Sequence, residues 1–268
     1  MKENNLRKIW AAGGCVVNGW LAIPSGFAAE VMAQGVAGLT WDSLTVDMQH
    51  GVQDYNSAVP CWQAIATTSV TPLVRVPWLD EGIIMKSLDA GALGVICPMI
   101  NTAAQAKRLV EACRYPPLGQ RSFGPIRAGF YGADYQPSAN ASIVVMAMIE
   151  TQEALDNLDA ILSTPGLDGV YVGPADLSLS LTGKVGFDHA EGTVQYKAIM
   201  GILEKCKKHD VRAGIHTGAA EYAAKMRDVG FQFTTIASDS RLMQMAIQQE
   251  LQKMRAGQPK GEMKSGPY

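Results

Sequence analysis

The 268-residue chain has no run of apolar residues long enough to cross a bilayer. Its longest, IVVMAMI (Ile143 to Ile149), falls far short of the roughly 20 residues a spanning helix needs. The N-terminal stretch MKENNLRKIWAAGG carries charge but no signal-like apolar core. Basic blocks are missing too. With 23 basic and 25 acidic residues and a formal charge of -2, electrostatic binding of nucleic acid has no support. Cys15, Cys61, Cys97, Cys113 and Cys206 are widely spaced, odd in number and form no CxxC pair. That excludes a disulfide framework or a zinc ribbon and fits reduced thiols. A soluble, cytoplasmic protein is expected. There is no GxGxxG, no P-loop and no phosphate-binding glycine loop near the last strands, so a phosphorylated ligand is unsupported.

What is present is a globular composition, 47% hydrophobic and 18% charged, with 27 glycines. Short β-branched apolar runs alternate with longer amphipathic ones. Strands are expected at 17–23, 39–47, 71–76, 94–99, 143–150, 169–172, 212–216 and 233–237. Between them DEGIIMKSLDAG, NTAAQAKRLVEACR, TQEALDNLDAILS and AAEYAAKMRDVG place apolar residues at helical spacing. Asn101 or Thr102 can cap one helix and Thr151 another, while Gly91, Gly166 and Gly230 stop helices. Eight strands alternating with helices match a single-domain (β/α)8 TIM barrel over residues 1–256. Residues 257–268, GQPKGEMKSGPY, read as a flexible tail. Residues 116–141 have neither helical nor strand period, and such a long loop suggests function. It is expected over the C-terminal face of the barrel.

In such a barrel the chemistry gathers at the C-terminal strand ends. Asp47 and His50 in VDMQHG follow the second strand. Arg75 ends the third, Glu150 the fifth, Asp176 follows the sixth and His216 ends the seventh. Glu150 closes a run expected to be buried, where a carboxylate is costly unless paired or metal-bound. It can also be a first-turn acid, and Asp176 a simple cap. Together they suit a hard, oxygen-preferring cation. Arg75 is either an anion clamp or part of an ion pair inside the barrel, for instance with Glu150. An Asp that orients His50 would make it a base near neutral pH. No lysine stands at a strand end, so Schiff-base chemistry has no candidate. A three-histidine zinc site would need His50, His189 and His216 to meet.

Several stretches carry a family resemblance: VRVPW, LDAGALGVICPMINT, RYPPLGQRSFGP, MIETQEALDNLDAIL and GLDGVYVGPADLSLSLTG. Over residues 15–250 the chain resembles the HpcH/HpaI aldolase family, class II pyruvate aldolases that include 2,4-dihydroxyhept-2-ene-1,7-dioic acid aldolase. The resemblance implies a (β/α)8 barrel and a divalent metal ion (Mg2+, Mn2+ or Co2+) on Glu150 and Asp176. It implies a catalytic His50 with Asp47 as acidic partner and an enolate-stabilising Arg75. Substrate contacts are implied from Gly173, Pro174, Ala175 and Asp176, and His216 stands beside them. A homo-oligomer, hexamer or trimer, is implied, with an exchanged C-terminal helix near 239–254. The implied reaction is reversible, metal-dependent cleavage of 4-hydroxy-2-keto acids to pyruvate and an aldehyde. Small-molecule keto acids and aldehydes would be its partners, with no nucleic acid or membrane. An oxaloacetate decarboxylase or enolate-transferring synthase would use the same site. A CoA-thioester lyase lacks the basic residues for CoA phosphates, and an idle barrel would not need all five polar positions. The chain departs from the family pattern at Gln49, Met148 and His216, where relatives often carry Glu, Gln and an apolar residue.

Overall fold

The computed structural model describes residues 1–256, and the expected tail at 257–268 lies outside them. Eight strands close into a parallel barrel in chain order: β1 (Val16–Leu21), β2 (Ser43–Asp47), β3 (Thr71–Arg75), β4 (Gly94–Cys97), β5 (Val144–Ile149), β6 (Gly169–Val172), β7 (Arg212–His216) and β8 (Phe233–Ser238). Helices alternate with them around the outside. The chain is therefore a single-domain (β/α)8 barrel, and residues within each strand face alternately inward and outward.

That alternation sorts the apolar residues into two cores. Leu44 and Val46 on β2, Val145 and Ala147 on β5, and Val170 and Val172 on β6 point out against the helices. Trp20, Leu73, Ile96, Met146, Met148, Tyr171 and Phe233 fill the barrel interior. Leu6 and Trp10, on the short helix Asn5–Ala11, close the interior from the N-terminal end. Stepping two residues along from interior positions gives Thr45 to Asp47, Leu73 to Arg75, Met148 to Glu150 and Gly214 to His216. The pleat itself thus carries these polar side chains to the inner rim at the C-terminal end.

Caps follow the expected chemistry. Thr102 accepts from the Gln105 amide, and the Gln105 side chain accepts from the Thr102 amide. Thr151 caps Gln152–Asp156, but TQEALDNLDAILS is two short helices, Gln152–Asp156 and Leu158–Leu162. Asn157 between them donates its side-chain amide to the Asn101 carbonyl instead of continuing one helix.

Two expectations change. β2 starts at Ser43, not Leu39, because Val36 and Leu39 pair across Ala37 and Gly38, both with positive φ, in a tight hairpin turn. The 116–141 segment lies at the N-terminal face, not the C-terminal one. It follows the helix Ala103–Cys113, so it is a helix-to-strand return. Arg127 donates to the Ala90 carbonyl (2.6 Å) and Tyr131 to the Gly91 carbonyl (2.8 Å), just before β4 begins. It also holds its own helix, Tyr135–Ser142. Among the described residues no helix is long and apolar enough to cross a membrane.

Candidate active site

A cavity of about 650 Å³ opens at the C-terminal end of the barrel. Asp47, His50, Arg75, Glu150, Gly173, Pro174, Ala175, Asp176 and His216 all line it. Residues that four strand ends (β2, β3, β5 and β7) and the loops after β2 and β6 contribute are thus brought into one bowl.

Asp47 and Arg75 sit directly opposite each other on paired strands. Arg75 grips Asp47 with two hydrogen bonds, Nε to Oδ1 at 2.8 Å and Nη2 to Oδ2 at 2.7 Å. Burial alone would push the Asp47 carboxyl up. The Arg75 hydrogen bonds and charge, with help from the Trp20 indole and the His50 amide, outweigh it and hold the carboxyl below its usual range. The Arg75 guanidinium also lies 4.8 Å over the Trp20 ring. Its Nη1 has no partner among the described residues, which leaves a donor edge for an anion.

The expected pairing of Asp47 with the His50 ring is not present. Asp47 Oδ1 accepts from the backbone amides of Gln49 (3.1 Å) and His50 (3.3 Å), while both carboxylate oxygens are engaged by Arg75. The acid therefore fixes the turn that carries His50, and the exposed imidazole projects into the cavity unbonded. Arg75 likewise takes Asp47, not Glu150, as its ion-pair partner.

Glu150 is 2% exposed. Its Oε1 accepts from the Met99 amide at 2.7 Å, and Met99 adopts a left-handed backbone (φ 55°) beside it. Burial pushes the Glu150 carboxyl up to about 7; the Met99 amide and Arg75 work against that, and the Asp176 charge adds to it. A Cβ on Gly173 would stand 2.4 Å from Glu150 Oε2, so a side chain there would push that carboxylate out of place. Gly173 precedes the helix Pro174–Thr182, with proline at its first turn. The amides of Ala175 and Asp176 then have no partner among the described residues and open the helix N-terminus to an anion.

Asp176 lies near enough for its charge to act on Glu150, and among the described residues no cation pairs with either carboxylate, Arg75 being taken by Asp47. A hard divalent ion fits this donor set, because it answers two mutually repelling carboxylates, one of them buried. Among the described residues no group of three or more His, Cys, Asp or Glu could hold a metal. Two protein ligands leave coordination positions for water and a chelating substrate.

The structure adds residues not singled out in the sequence. Trp20, Tyr171, Phe187, Asp188 and Arg241 also line the cavity. Asp188 has a positive φ of 47° and accepts from the Gly218 amide at 2.9 Å, which ties the loop after Pro174–Thr182 across the mouth. Trp20 and Tyr171 read in the sequence as ordinary apolar strand residues. Only the strand period, counted inward, separates them from the outer core.

Comparison with known proteins accords with this geometry. The model of the HpcH/HpaI aldolase/citrate lyase family matches residues 25–246. The chain belongs to this family. A hydroxypyruvate/pyruvate aldolase of Rhizorhabdus wittichii is 40% identical over 254 residues, 94% of this chain and 99% of that protein. A 5-keto-4-deoxy-D-glucarate aldolase of Escherichia coli is 32% identical over 248 residues, 91% of this chain and 94% of that protein. The crystal structure of a family protein from Burkholderia cenocepacia superposes with a TM-score of 0.84 at 30% identity, covering 93% of this chain and 98% of that one. This family member is an aldolase, a carbon–carbon lyase.

Proposed function

We propose that the protein is a class II aldolase that reversibly cleaves 4-hydroxy-2-keto acids to pyruvate, or a substituted pyruvate, and an aldehyde. The observation that carries this reading is the buried Glu150 near Asp176 in the cavity that also holds Arg75 and His50. The names of the curated relatives support the keto-acid substrate class.

A divalent ion (Mg2+, Mn2+ or Co2+) held by Glu150 and Asp176 would supply Lewis-acid polarisation of the keto acid. The unpaired amides of Ala175 and Asp176 receive the substrate carboxylate. Arg75, held rigid by Asp47 and Trp20, donates its open edge to the C2 oxygen as negative charge develops there. His50 takes the proton from the C4 hydroxyl. The C3–C4 bond then breaks, its electron pair stays with C3, and C4 leaves as the aldehyde. Protonation of C3 completes the keto acid. The aldehyde leaves past Phe187 and Asp188, since the 116–141 segment lies at the far end of the barrel.

We further propose a homo-oligomer. On the C-terminal helix Asp239–Met254 only Asp239 is buried, while Met243, Ile247, Leu251 and Met254 share one exposed face. A second copy of the chain is the occupant this face suits. The site itself is tested by two variants. Glu150→Ala should lose metal, measured by elemental analysis. His50→Ala should keep metal and lose about 10²-fold or more in aldol cleavage. Full activity in His50→Ala would remove it as the base.

A further inference from the structure

The turn that carries His50 has no regular structure of its own. It runs from the end of β2 at Asp47 to the helix Tyr55–Ala66, and hydrogen bonds at its two ends hold it. On the strand side the Met48 amide donates to the Arg75 carbonyl at 3.0 Å, and Asp47 takes the Gln49 and His50 amides. On the far side the Val52 amide donates to the Ala22 carbonyl at 2.9 Å. The Gln53 side chain donates to the Ile23 carbonyl at 2.6 Å. Gly51 lies against this second support, since a Cβ there would stand 3.1 Å from Ala22 Cα.

Ala22 and Ile23 follow β1 and belong to no helix or strand. What fixes them lies on their other side. The Ala22 amide donates to Asp239 Oδ1 at 2.9 Å and the Ile23 amide to Asp239 Oδ2 at 3.1 Å. The N–H and C=O of a trans peptide point in opposite directions. The peptide unit joining Ala22 to Ile23 is therefore gripped at both edges, its N–H by Asp239 and its C=O by Val52. Asp239 is the one buried residue of the helix Asp239–Met254, at 6% exposure. Its only further bond is from the Ser240 amide at 2.7 Å, and among the described residues no cation pairs with it. A first-turn acid is satisfied by the amides of its own helix. Asp239 instead turns both oxygens to a different loop. Burying a carboxylate is costly, and an apolar residue would attach the helix without that cost.

We propose that Asp239 is a positioning residue for His50. Through the Ala22–Ile23 peptide it fixes the far side of the turn on which the imidazole stands, as Asp47 fixes the near side. The inference rests on the aldolase reading above, in which His50 takes the proton of the C4 hydroxyl. The two anchors differ in reach. Asp47 also holds Arg75, so its loss disturbs two groups at once. Asp239 makes no hydrogen bond to Arg75, Glu150 or Asp176, so its effect passes through His50.

The test uses Asp239→Asn in full-length, metal-loaded protein. This variant keeps the size of the side chain and one acceptor oxygen, and breaks one of the two amide bonds. It should lower kcat for pyruvate release from a 4-hydroxy-2-keto acid about tenfold, with KM and metal affinity little changed. In a His50→Ala background there is no imidazole to position, so the same substitution should leave the residual rate nearly unchanged. Gln53→Met cuts the neighbouring link to Ile23 and should repeat both results, and it carries the test alone should Asp239→Asn fail to fold. Full activity in both variants overturns the proposal. So does a loss as large in the His50→Ala background as in wild type, which would mark a general structural role. Hydrogen exchange followed by mass spectrometry reads the same link without turnover. Asp239→Asn should speed exchange over residues 48–53 and leave β5 and β6 as they are. Unchanged exchange over 48–53, or an equal rise across the barrel, overturns the proposal. Wild type that releases no pyruvate with Mg2+, Mn2+ or Co2+ removes the aldolase reading and this inference with it. Active wild type with any of the contrary results removes this inference alone.

Discussion

Two buried acids in one cavity meet opposite fates. Asp47 has a guanidinium on both oxygens, and that interaction outweighs its desolvation. Glu150 has one backbone amide and an acidic neighbour, and desolvation wins. The consequence for stability has a definite sign. The Glu150 carboxyl rises from 4.5 in the unfolded chain to about 7 in the metal-free fold, so the folded state holds the extra proton between those values. Metal-free protein should lose stability as pH rises from about 4.5 to about 7, by on the order of 3 kcal/mol at most from this group. Glu150→Gln should therefore raise the melting temperature of metal-free protein at pH 8 and change it little at pH 4. Equal effects at both values would contradict the burial account. Arg75→Lys replaces a forked donor with a point charge and breaks the paired geometry with Asp47. A fall of about 10²-fold or more in kcat, with smaller change in metal affinity, is expected in steady-state kinetics and metal titration. At this scale the sequence was informative. Strand-end position identified Asp47, Arg75, Glu150 and His216 as inner-rim residues. It did not reveal who pairs with whom, because Asp47 and Arg75 become partners only through the β2–β3 register.

Elements explain why the site is where it is. The fifth strand delivers Glu150, and the turn after the sixth passes so close to it that a Cβ at residue 173 would stand 2.4 Å from its Oε2. Gly173→Ala should displace the Glu150 carboxylate and weaken metal binding about tenfold or more, measurable by titration of the stripped protein, with the fold retained by circular dichroism. Unchanged affinity would mean that the turn can yield. β6 and β7 coincide with the strands expected at 169–172 and 212–216. The 116–141 segment was legible as irregular but not as to its face. Its end of the barrel follows from whether it succeeds a strand or a helix, and it succeeds Ala103–Cys113. The loop that does cross the mouth, with Phe187 and Asp188, gave no sequence signal beyond its glycines, because its role depends on a backbone bond to Gly218 from another strand's loop.

At the scale of the whole molecule the barrel is complete within one chain, and its C-terminal helix is not. A 16-residue helix with one buried residue and a line of exposed methionine, isoleucine and leucine has too little to pack against in a single copy. Sedimentation should find an oligomer, and Ile247→Glu with Leu251→Glu should dissociate it while leaving the barrel folded; a monomeric wild type would contradict this. This helix was expected near 239–254 only because the family resemblance implied it. What covers it was implied by family resemblance alone, since a single chain carries no register for a partner. The central claim concerns the reaction itself, and metal removal tests it most directly. Protein stripped of metal should release no pyruvate from a 4-hydroxy-2-keto acid, and release should return on adding Mg2+, Mn2+ or Co2+. Release undiminished by complete metal removal, or none with any of the three ions, would contradict the account.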